Sequence, residues 1–174
     1  RDKTLKLWNK DNTEALQTYT GHKKGVNSVA VLDANHFVSG SEDETLKLWN
    51  KDSLEALQTY TSRTAVISVA VLDANHFVSG SREGYGALLK LWKLPQNIQA
   101  VPRTILPAPT ETPRSVESSV DDSLQTYEGH VNSIAVLGTN QFVSASSDGT
   151  LKLWNKGDAT ALQTYTGHTM HLYS

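Results

Sequence analysis

The stretch SVAVLDANHFVSGS occupies residues 28–41 of the chain and occurs again, letter for letter, at residues 68–81. A second short motif, Leu-Lys-Leu-Trp, recurs at a related spacing. Its tryptophans are Trp8, Trp49, Trp92 and Trp154. A repeat of about 40 residues is typical of arrays in which one small structural unit is copied and stacked. The sequence therefore predicts several copies of one unit.

Within one unit, apolar residues alternate with polar ones and do not recur every three or four residues. Val29 and Val31 precede a turn-forming segment at 33–35, and Leu46 and Leu48 follow another. Alternation between turn segments is typical of half-buried strands. We predict four strands per unit, near residues 26–32, 36–41, 45–50 and 54–61.

The composition excludes several classes of function. The 174 residues carry a formal charge of −2, so no basic surface for nucleic acid or anionic lipid is indicated. The chain has no cysteine, which removes disulfides and thiolate metal sites and fits a cytoplasmic protein, with a nuclear location left open. No apolar run is long enough to cross a bilayer. We expect no nucleic-acid or membrane partner and no cofactor.

Three motifs of the first complete unit point to a family. They are Gly21-His22, then Ser39-Gly40-Ser41-Glu42-Asp43, then Leu46-Lys47-Leu48-Trp49. In this order and at this period they resemble the repeats of the WD-repeat β-propeller family. The resemblance implies an all-β fold with blades of four antiparallel strands in a partial or open ring of about three and a half blades.

In that family a His, a Ser or Thr, an Asp and a Trp form a hydrogen-bonded line inside each blade. The resemblance implies this role for His22, Ser39, Asp43 and Trp49. A buried indole N–H and a buried imidazole both need partners, so a structural role is chemically sensible. We favour this interpretation over a catalytic Ser-His-Asp set, and we predict no catalytic residue.

The other two units depart from this pattern. In the second, Ser62-Arg63 replaces Gly-His and Glu83 replaces the Asp, so only Ser79 and Trp92 match. In the third, the spacer after Gly-His is three residues shorter, which puts the position of its His in doubt. The matching residues there are His130, Ser144, Asp148 and Trp154.

Residues 93–123 interrupt the strand pattern and contain all five prolines of the chain. We predict repeat blades over residues 1–92, a disordered Pro/Ser-rich insert over 93–123, and a further blade with the start of the next over 124–174. Low apolar content leaves such a segment unable to offset its ordering entropy. We favour a tolerated loop between the third and fourth strands of a blade over a partner-binding or phosphorylated segment.

Four histidines lie outside the predicted network. His36 and His76 occupy identical contexts beside a phenylalanine, and we predict that both face solvent. His168 and His171 have a spacing seen in metal pairs but lack neighbouring carboxylates, so no metal site is predicted.

The family usually binds partners at one rim of the propeller, and the resemblance maps the variable rim positions onto this chain. They are Gly25, Asn27, Glu42, Ala65, Ile67, Arg82, Asn132 and Ser147. We therefore predict a non-catalytic scaffold that binds other proteins or peptides, with further blades of the same polypeptide as another kind of partner. The alternative is a propeller fragment, or an incomplete gene model, with no independent function, which only helps to close a larger ring. A propeller-based enzyme is the least favoured interpretation.

Overall fold

Fourteen β-strands make up the regular structure of the described chain. A computed structural model describes residues 2–11, 13–83, 86–96, 98, 123–128 and 131–166. The strands are β1 Leu5–Trp8, β2 Ala15–Tyr19, β3 Val26–Val31, β4 His36–Ser41, β5 Thr45–Asn50, β6 Gln58–Thr61, β7 Ala65–Asp73, β8 His76–Glu83, β9 Gly86–Lys93, β10 Gln125–Glu128, β11 Ser133–Val136, β12 Gln141–Ala145, β13 Leu151–Asn155 and β14 Gln163–Tyr165.

The strands form one two-stranded sheet and three four-stranded sheets, all antiparallel. The four-stranded sheets are β3–β6, β7–β10 and β11–β14, and the two-stranded sheet is β1–β2. The predicted all-β fold with four strands per blade is confirmed. β10 pairs with β9, so the insert joins the third and fourth strands of one sheet.

The predicted fourth strand at 54–61 was too long at its start. Pairing with β5 begins only at Gln58, which lies opposite Leu48. The preceding turn takes up residues 50–53, where the Ser53 amide bonds to the Asn50 carbonyl, and Leu54 remains 62% exposed. The connection from β5 therefore runs over residues 51–57 and leaves β6 with four residues.

The second sheet has a longer hairpin than the first. Its β8 and β9 stay paired to the contact of Glu83 with Gly86, whereas β4 and β5 stop pairing at Gly40 and Leu46. Between the repeated stretch and the Leu-Lys-Leu-Trp motif this unit is three residues longer than the first, and both paired strands are longer.

An aromatic trio lies at each junction between successive sheets. The first consists of Tyr19 from one sheet and the stacked pair Phe37 and Trp49 from the next, with the tyrosine edge-on to both rings. The same arrangement recurs twice, with the residues Tyr60, Phe77 and Trp92, and Tyr127, Phe142 and Trp154. Edge-to-face and offset packing of buried rings contributes beyond their apolar area. The sheets are therefore held in a row by one repeated contact.

Each tyrosine also bonds through its hydroxyl to the backbone of the following sheet. Tyr19 Oη donates to the Lys51 carbonyl at 2.8 Å and Tyr60 Oη to the Lys93 carbonyl at 3.2 Å. Tyr127 Oη accepts from the Gly157 amide at 3.4 Å. These hydrogen bonds therefore set the position of each sheet along the next sheet.

The glycine of the repeated stretch lies where one sheet packs closely against the next. A Cβ atom on Gly40 would come within 2.4 Å of Val66 Cγ1, and one on Gly80 within 2.5 Å of Val131 Cγ1. Real Cβ atoms do not come this close to other atoms, so only glycine fits without movement. The last sheet has Ala145 at this position.

The first residues of the predicted insert are ordered, which corrects its boundary. Lys93 ends β9, and Leu94 is 1% exposed within the core between the first and second four-stranded sheets. Its amide bonds to the Asn75 carbonyl at 2.7 Å, and Ile98 packs on the same core. Apolar burial holds this part of the chain. The prediction of disorder for residues 99–122 lies outside the described residues.

Candidate functional site

His22, Ser39 and Trp49 form a hydrogen-bonded line in the first four-stranded sheet. The indole N–H of Trp49 donates to Ser39 Oγ at 2.8 Å, and His22 Nε2 lies 2.7 Å from the same oxygen. His22 Nδ1 lies 2.9 Å from Asp43 Oδ2. One assignment satisfies every atom: Trp49 donates to Ser39, Ser39 to His22 Nε2, and His22 Nδ1–H to Asp43. The imidazole is then neutral.

Asp43 gathers donors from three neighbours. Its carboxylate accepts from the Lys23 amide at 2.7 Å and from the Thr45 amide at 3.0 Å, in addition to His22. Burial by itself raises the pKa of Asp43, but the hydrogen bonds from Thr45, Lys23 and His22 outweigh it and hold the pKa at about 2. The carboxylate therefore stays ionised and anchors the turn before β5.

Burial lowers the pKa of His22 below its usual value, and this effect exceeds the opposing pull of Asp43. Ser39 has no exposed surface and its oxygen already receives the Trp49 N–H. A nucleophile must be reachable by substrate and free to lose its proton to a base. The geometry of this Ser, His and Asp is that of a structural network.

In the second sheet a buried lysine lies beside the tryptophan. Trp92 donates to Ser79 Oγ at 2.8 Å, as expected from the sequence. Lys90 is only 2% exposed, its ammonium donates to the Ser62 carbonyl, and it lies 6.0 Å from the centre of the Trp92 ring. Ammonium groups over indole faces are attracted by the ring quadrupole. The sequence does not distinguish Lys90 from Lys47, since both are lysines at the same position of the repeat. Only the structure shows that Lys47 is half-exposed while Lys90 is buried.

The third sheet keeps the central bond. Trp154 donates to Ser144 Oγ at 2.9 Å. Asp148 is exposed and accepts from the Thr150 amide at 2.9 Å, so it supports its turn as Asp43 does. His130 lies outside the described residues, and its predicted place in the network stays a prediction.

Two of the predicted rim residues lie at bulges in equivalent positions. The register of β3 with β4 shifts between Val26 and Ser28, and that of β7 with β8 shifts between Val66 and Ser68. Asn27 and Ile67 are therefore the extra residues, and both are half-buried. Bulges commonly redirect a side chain next to a functional site. Asn27 also donates from Nδ2 to the Val66 carbonyl at 2.9 Å, which links two sheets.

Gly25 is a predicted rim residue whose backbone is bonded within its own sheet. It is buried, and its carbonyl accepts from Ser41 Oγ at 2.9 Å and from the Glu42 amide at 3.0 Å. With no side chain and a carbonyl already bonded, it offers little to a partner.

The other rim residues lie at the same end of their sheets. Ala65 and Arg82 lie opposite each other in β7 and β8, although the structure describes only the backbone of Arg82. The residues that share a half-buried position are Glu42, Ala65, Asn132 and Ser147. The sequence mapping and the strand ends thus agree in place, and binding by these residues stays a prediction.

The prediction that His36 and His76 face solvent was wrong. His36 is 5% exposed, with Nδ1 at 3.0 Å from Asp33 and Nε2 at 3.2 Å from the Asn50 amide group. His76 Nδ1 lies 2.9 Å from Asp73. The aspartate that opens the preceding turn draws each ring back onto the chain, which strand alternation alone does not reveal.

An ion pair joins the second and third sheets at this end of the molecule. Lys156 Nζ lies 2.7 Å from Asp73 Oδ2. Burial raises the pKa of Asp73, but the bonds from Lys156 and His76 outweigh it and lower the pKa to about 2. The pair therefore remains charged well into the acid range.

In the described ranges, no cluster of three or more His, Cys, Asp or Glu side chains is placed to hold a metal ion. His168 and His171 lie outside those ranges. Nor does any helix of sufficient length and apolar character to cross a membrane occur in the part of the chain that is described.

Comparison with known proteins agrees with this architecture. The sequence profile of the WD domain, G-beta repeat, matches residues 13–50 and 121–155. Among solved structures, the chain is similar to the WD40 β-propeller domain of Doa1, with a TM-score of 0.68 and 27% sequence identity. The match covers 94% of this chain but only 47% of that domain, so the chain spans about half its length. No curated protein matches the chain significantly.

Proposed function

Because the chain belongs to the WD-repeat β-propeller family, whose members generally bind other proteins and are generally not enzymes, we propose that it is a non-catalytic protein-binding scaffold. The binding surface is the end of the sheets that carries Asn27 and Ile67. The observation that supports it is the shared bulge, which presents a polar and an apolar side chain at equivalent places on neighbouring sheets. The lack of cysteine supports an intracellular location.

The chemistry of this rim sets the kind of partner. Ile67 offers a half-buried apolar contact and Glu42 an acidic group on adjacent sheets, and the sequence has an arginine at position 82. Interface cores favour an apolar contact surrounded by polar groups. We infer a protein or peptide partner with an apolar anchor flanked by charges of both signs.

The test is capture of binding proteins by the chain and by three variants. Ile67→Asp and Glu42→Lys should each remove the partners that the wild-type chain retains. Leu54→Asp is the matched control, because Leu54 is 62% exposed and lies in the turn at the far end of its sheet. Retention of the same partners by both rim variants would exclude this surface.

The alternative, a segment that serves only to complete a larger ring, is supported by the two ends of the row. Trp8 is 53% exposed at one end and Tyr165 is 49% exposed at the other, although their counterparts inside the row are buried. Exposed apolar surface of this kind favours association. Sedimentation and thermal unfolding separate the two functions, since a monodisperse chain with one cooperative transition supports the scaffold.

A further inference from the structure

Two hydrogen bonds join the first and second four-stranded sheets near the rim, a contact that we call the Asn27 junction. Asn27 Nδ2 donates to the Val66 carbonyl at 2.9 Å. The Val69 amide donates to Ser28 Oγ at 3.0 Å. Each bond runs between a side chain of the first sheet and the main chain of the second. The two sheets are therefore linked whatever apolar side chains pack between them.

The contact between the second and third sheets has an isoleucine in the place of that asparagine, and we call it the Ile67 junction. Ile67 has no side-chain donor, so it cannot bond to the carbonyl of Val131, the residue in the place of Val66. Among the described residues, no donor bonds to the Val131 carbonyl. The first of the two links is therefore missing here.

The second link is missing as well, although its serine is retained. Ser68 lies in the repeated stretch at the place of Ser28, and Ile134 lies at the place of Val69. In the part of the chain that the structure describes, the Ser68 hydroxyl forms no hydrogen bond with the Ile134 amide. Near the rim, this junction depends on apolar packing of the third sheet against Gly80.

The two junctions also differ at the far end of the sheets, in the residue two places after the tryptophan of the hydrogen-bonded line. At the Asn27 junction this residue is Leu94, which is 1% exposed within the core. At the Ile67 junction it is Lys156, whose Nζ lies 2.7 Å from Asp73 Oδ2 and 2.9 Å from His76 Nδ1. An apolar side chain closes one junction, and an ionic cluster closes the other.

The aspartate and histidine of this cluster have counterparts with the same letters in the first sheet, but those bond within their own sheet. His36 Nδ1 lies 3.0 Å from Asp33 Oδ1, and the Asn50 amide group lies 3.2 Å from Nε2 of the same ring. Leu94 has no charged group to add to them. Lys156 is therefore the residue that turns a local turn contact into a link between two sheets.

Removing Lys156 leaves a charge without its partner in a partly buried place. The side chains of Lys156 and Asp73 are 23% and 17% exposed. Loss of one member of such a pair is costly because the other charge stays partly desolvated. The nearby bond between Tyr127 Oη and the Gly157 amide is 3.4 Å long, which is longer than the other two tyrosine bonds between sheets. It offers the junction less support.

We propose that the Ile67 junction is a conformational joint, which Lys156 holds closed and which opens along its length when the Lys156 contact is broken. The Asn27 junction stays closed, because its rim bonds and Leu94 do not depend on charge. Ile67 and Asn132 belong to sheets on opposite sides of the joint, so its opening changes the distance between these two rim positions. Opening of this kind is a local event that leaves the rest of a fold intact.

The experiment is amide hydrogen exchange on the full chain, with Lys156→Met compared with Lys51→Met. Lys51 has the same place after the tryptophan of the first sheet, and its bonds in the described chain are made by its main chain. Lys156→Met should speed exchange in β11, β12 and β13 about tenfold, the value of one hydrogen bond to a charged group. Lys51→Met should leave those rates unchanged, and β4 and β5 should keep wild-type rates in both variants.

A second change tests the rim end of the joint. Ile67→Asn supplies the donor that the junction lacks, so in a Lys156→Met background it should slow exchange in the third sheet about threefold. Lys156→Arg keeps the positive charge and should exchange as the wild type does. If circular dichroism shows that Lys156→Met does not fold, Asp73→Asn takes its place, because it removes the partner charge and should speed exchange in the same strands.

Four results would overturn the proposal. Two of them are third-sheet rates that Lys156→Met leaves unchanged, and an equal acceleration by Lys51→Met. The third is an equal acceleration in β4 and β5, which would mean that the whole chain is destabilised. The fourth is exchange that Ile67→Asn does not slow, which would exclude the missing rim bond as a cause. All of these measurements are made without a binding partner, so failure of the rim as a binding surface and failure of the joint are distinguishable.

Discussion

The first and second four-stranded sheets share one stretch of fourteen identical residues but surround their tryptophans with different polar groups. In the first, His22 and Asp43 continue the line beyond Ser39. In the second, Lys90 lies beside the tryptophan and bonds to the Ser62 carbonyl. The bond from indole to serine is the part that both retain. The comparison teaches that this bond is the common framework and that its surroundings are replaceable.

A side chain added at the repeated glycine should destabilise the chain equally in the first and the second four-stranded sheet. Gly40→Ala and Gly80→Ala should each lower the free energy of unfolding by about 3 kcal/mol, because each Cβ would overlap a valine of the next sheet. Urea unfolding measures the loss. Ala145→Gly is the control, with a change below about 1 kcal/mol from backbone entropy alone. A near-zero effect at either glycine would mean that the sheets separate readily.

The loss of stability on replacing the network serine should differ between the first and the second four-stranded sheet. Ser39→Ala leaves the Trp49 indole and the His22 ring without a shared partner and should cost about 2 kcal/mol. Ser79→Ala leaves only the Trp92 indole unpaired and should cost about 1 kcal/mol. The two melting curves compared side by side give the contribution of His22. Equal losses would show that the histidine adds nothing to the network.

Acid should destabilise the first sheet through two groups in succession. The pKa of His22 is lowered by burial, so its contribution is complete above about pH 6.5 and declines as the pH falls below that value. The pKa of Asp43 is lowered to about 2, so its contribution is lost between about pH 4 and pH 2. Asp43→Asn should cost about 1 kcal/mol at pH 7 and less at pH 3.

Thermal unfolding at pH 7, 5 and 3 tests this order. Asp73→Asn is the comparison variant. The pKa of Asp73 is also lowered to about 2, but Asp73 pairs with Lys156 and so links the second sheet to the third. A cost of Asp43→Asn that stays constant from pH 7 to pH 3 would contradict the role of its ionised form.

The smallest expected effect concerns the turn between β4 and β5. Glu44 has a φ of 68°, and the third sheet has Gly149 with a φ of 82° at the equivalent position. Glu44→Gly should therefore stabilise the chain by about 0.5 kcal/mol, since glycine adopts this conformation without a steric penalty. The reverse change, Gly149→Glu, should destabilise it by a similar amount. Melting temperatures that move in the same direction would refute the strain argument.

The sequence revealed what a single sheet contains. Alternation and turn residues predicted four strands, and the Ser39 to Trp49 pairing followed from the family resemblance. These features depend on residues close in sequence or repeated at a fixed period. Lys90 and His36 were not recognised, because their burial depends on which groups surround them in space. Identical letters at Lys47 and Lys90 have different exposures for that reason.

Contacts between sheets could not be predicted from the sequence either. Nothing in the local pattern indicates that Leu94 lies in a core, or that Asn27 bonds to the carbonyl of a residue in the next sheet. The bulge at Asn27 is a register shift between β3 and β4, which only the observed strand pairing reveals. The rim could therefore be located by analogy, but its geometry could not.

The tyrosine hydroxyls at the junctions affect which residues can be substituted as such a chain evolves. Tyr19 and Tyr60 bond to main-chain carbonyls of the following sheet, at Lys51 and Lys93. A main-chain carbonyl is present whatever side chain the residue carries. Copies of the unit can therefore accept substitutions at these two loop residues and still stack at the same height.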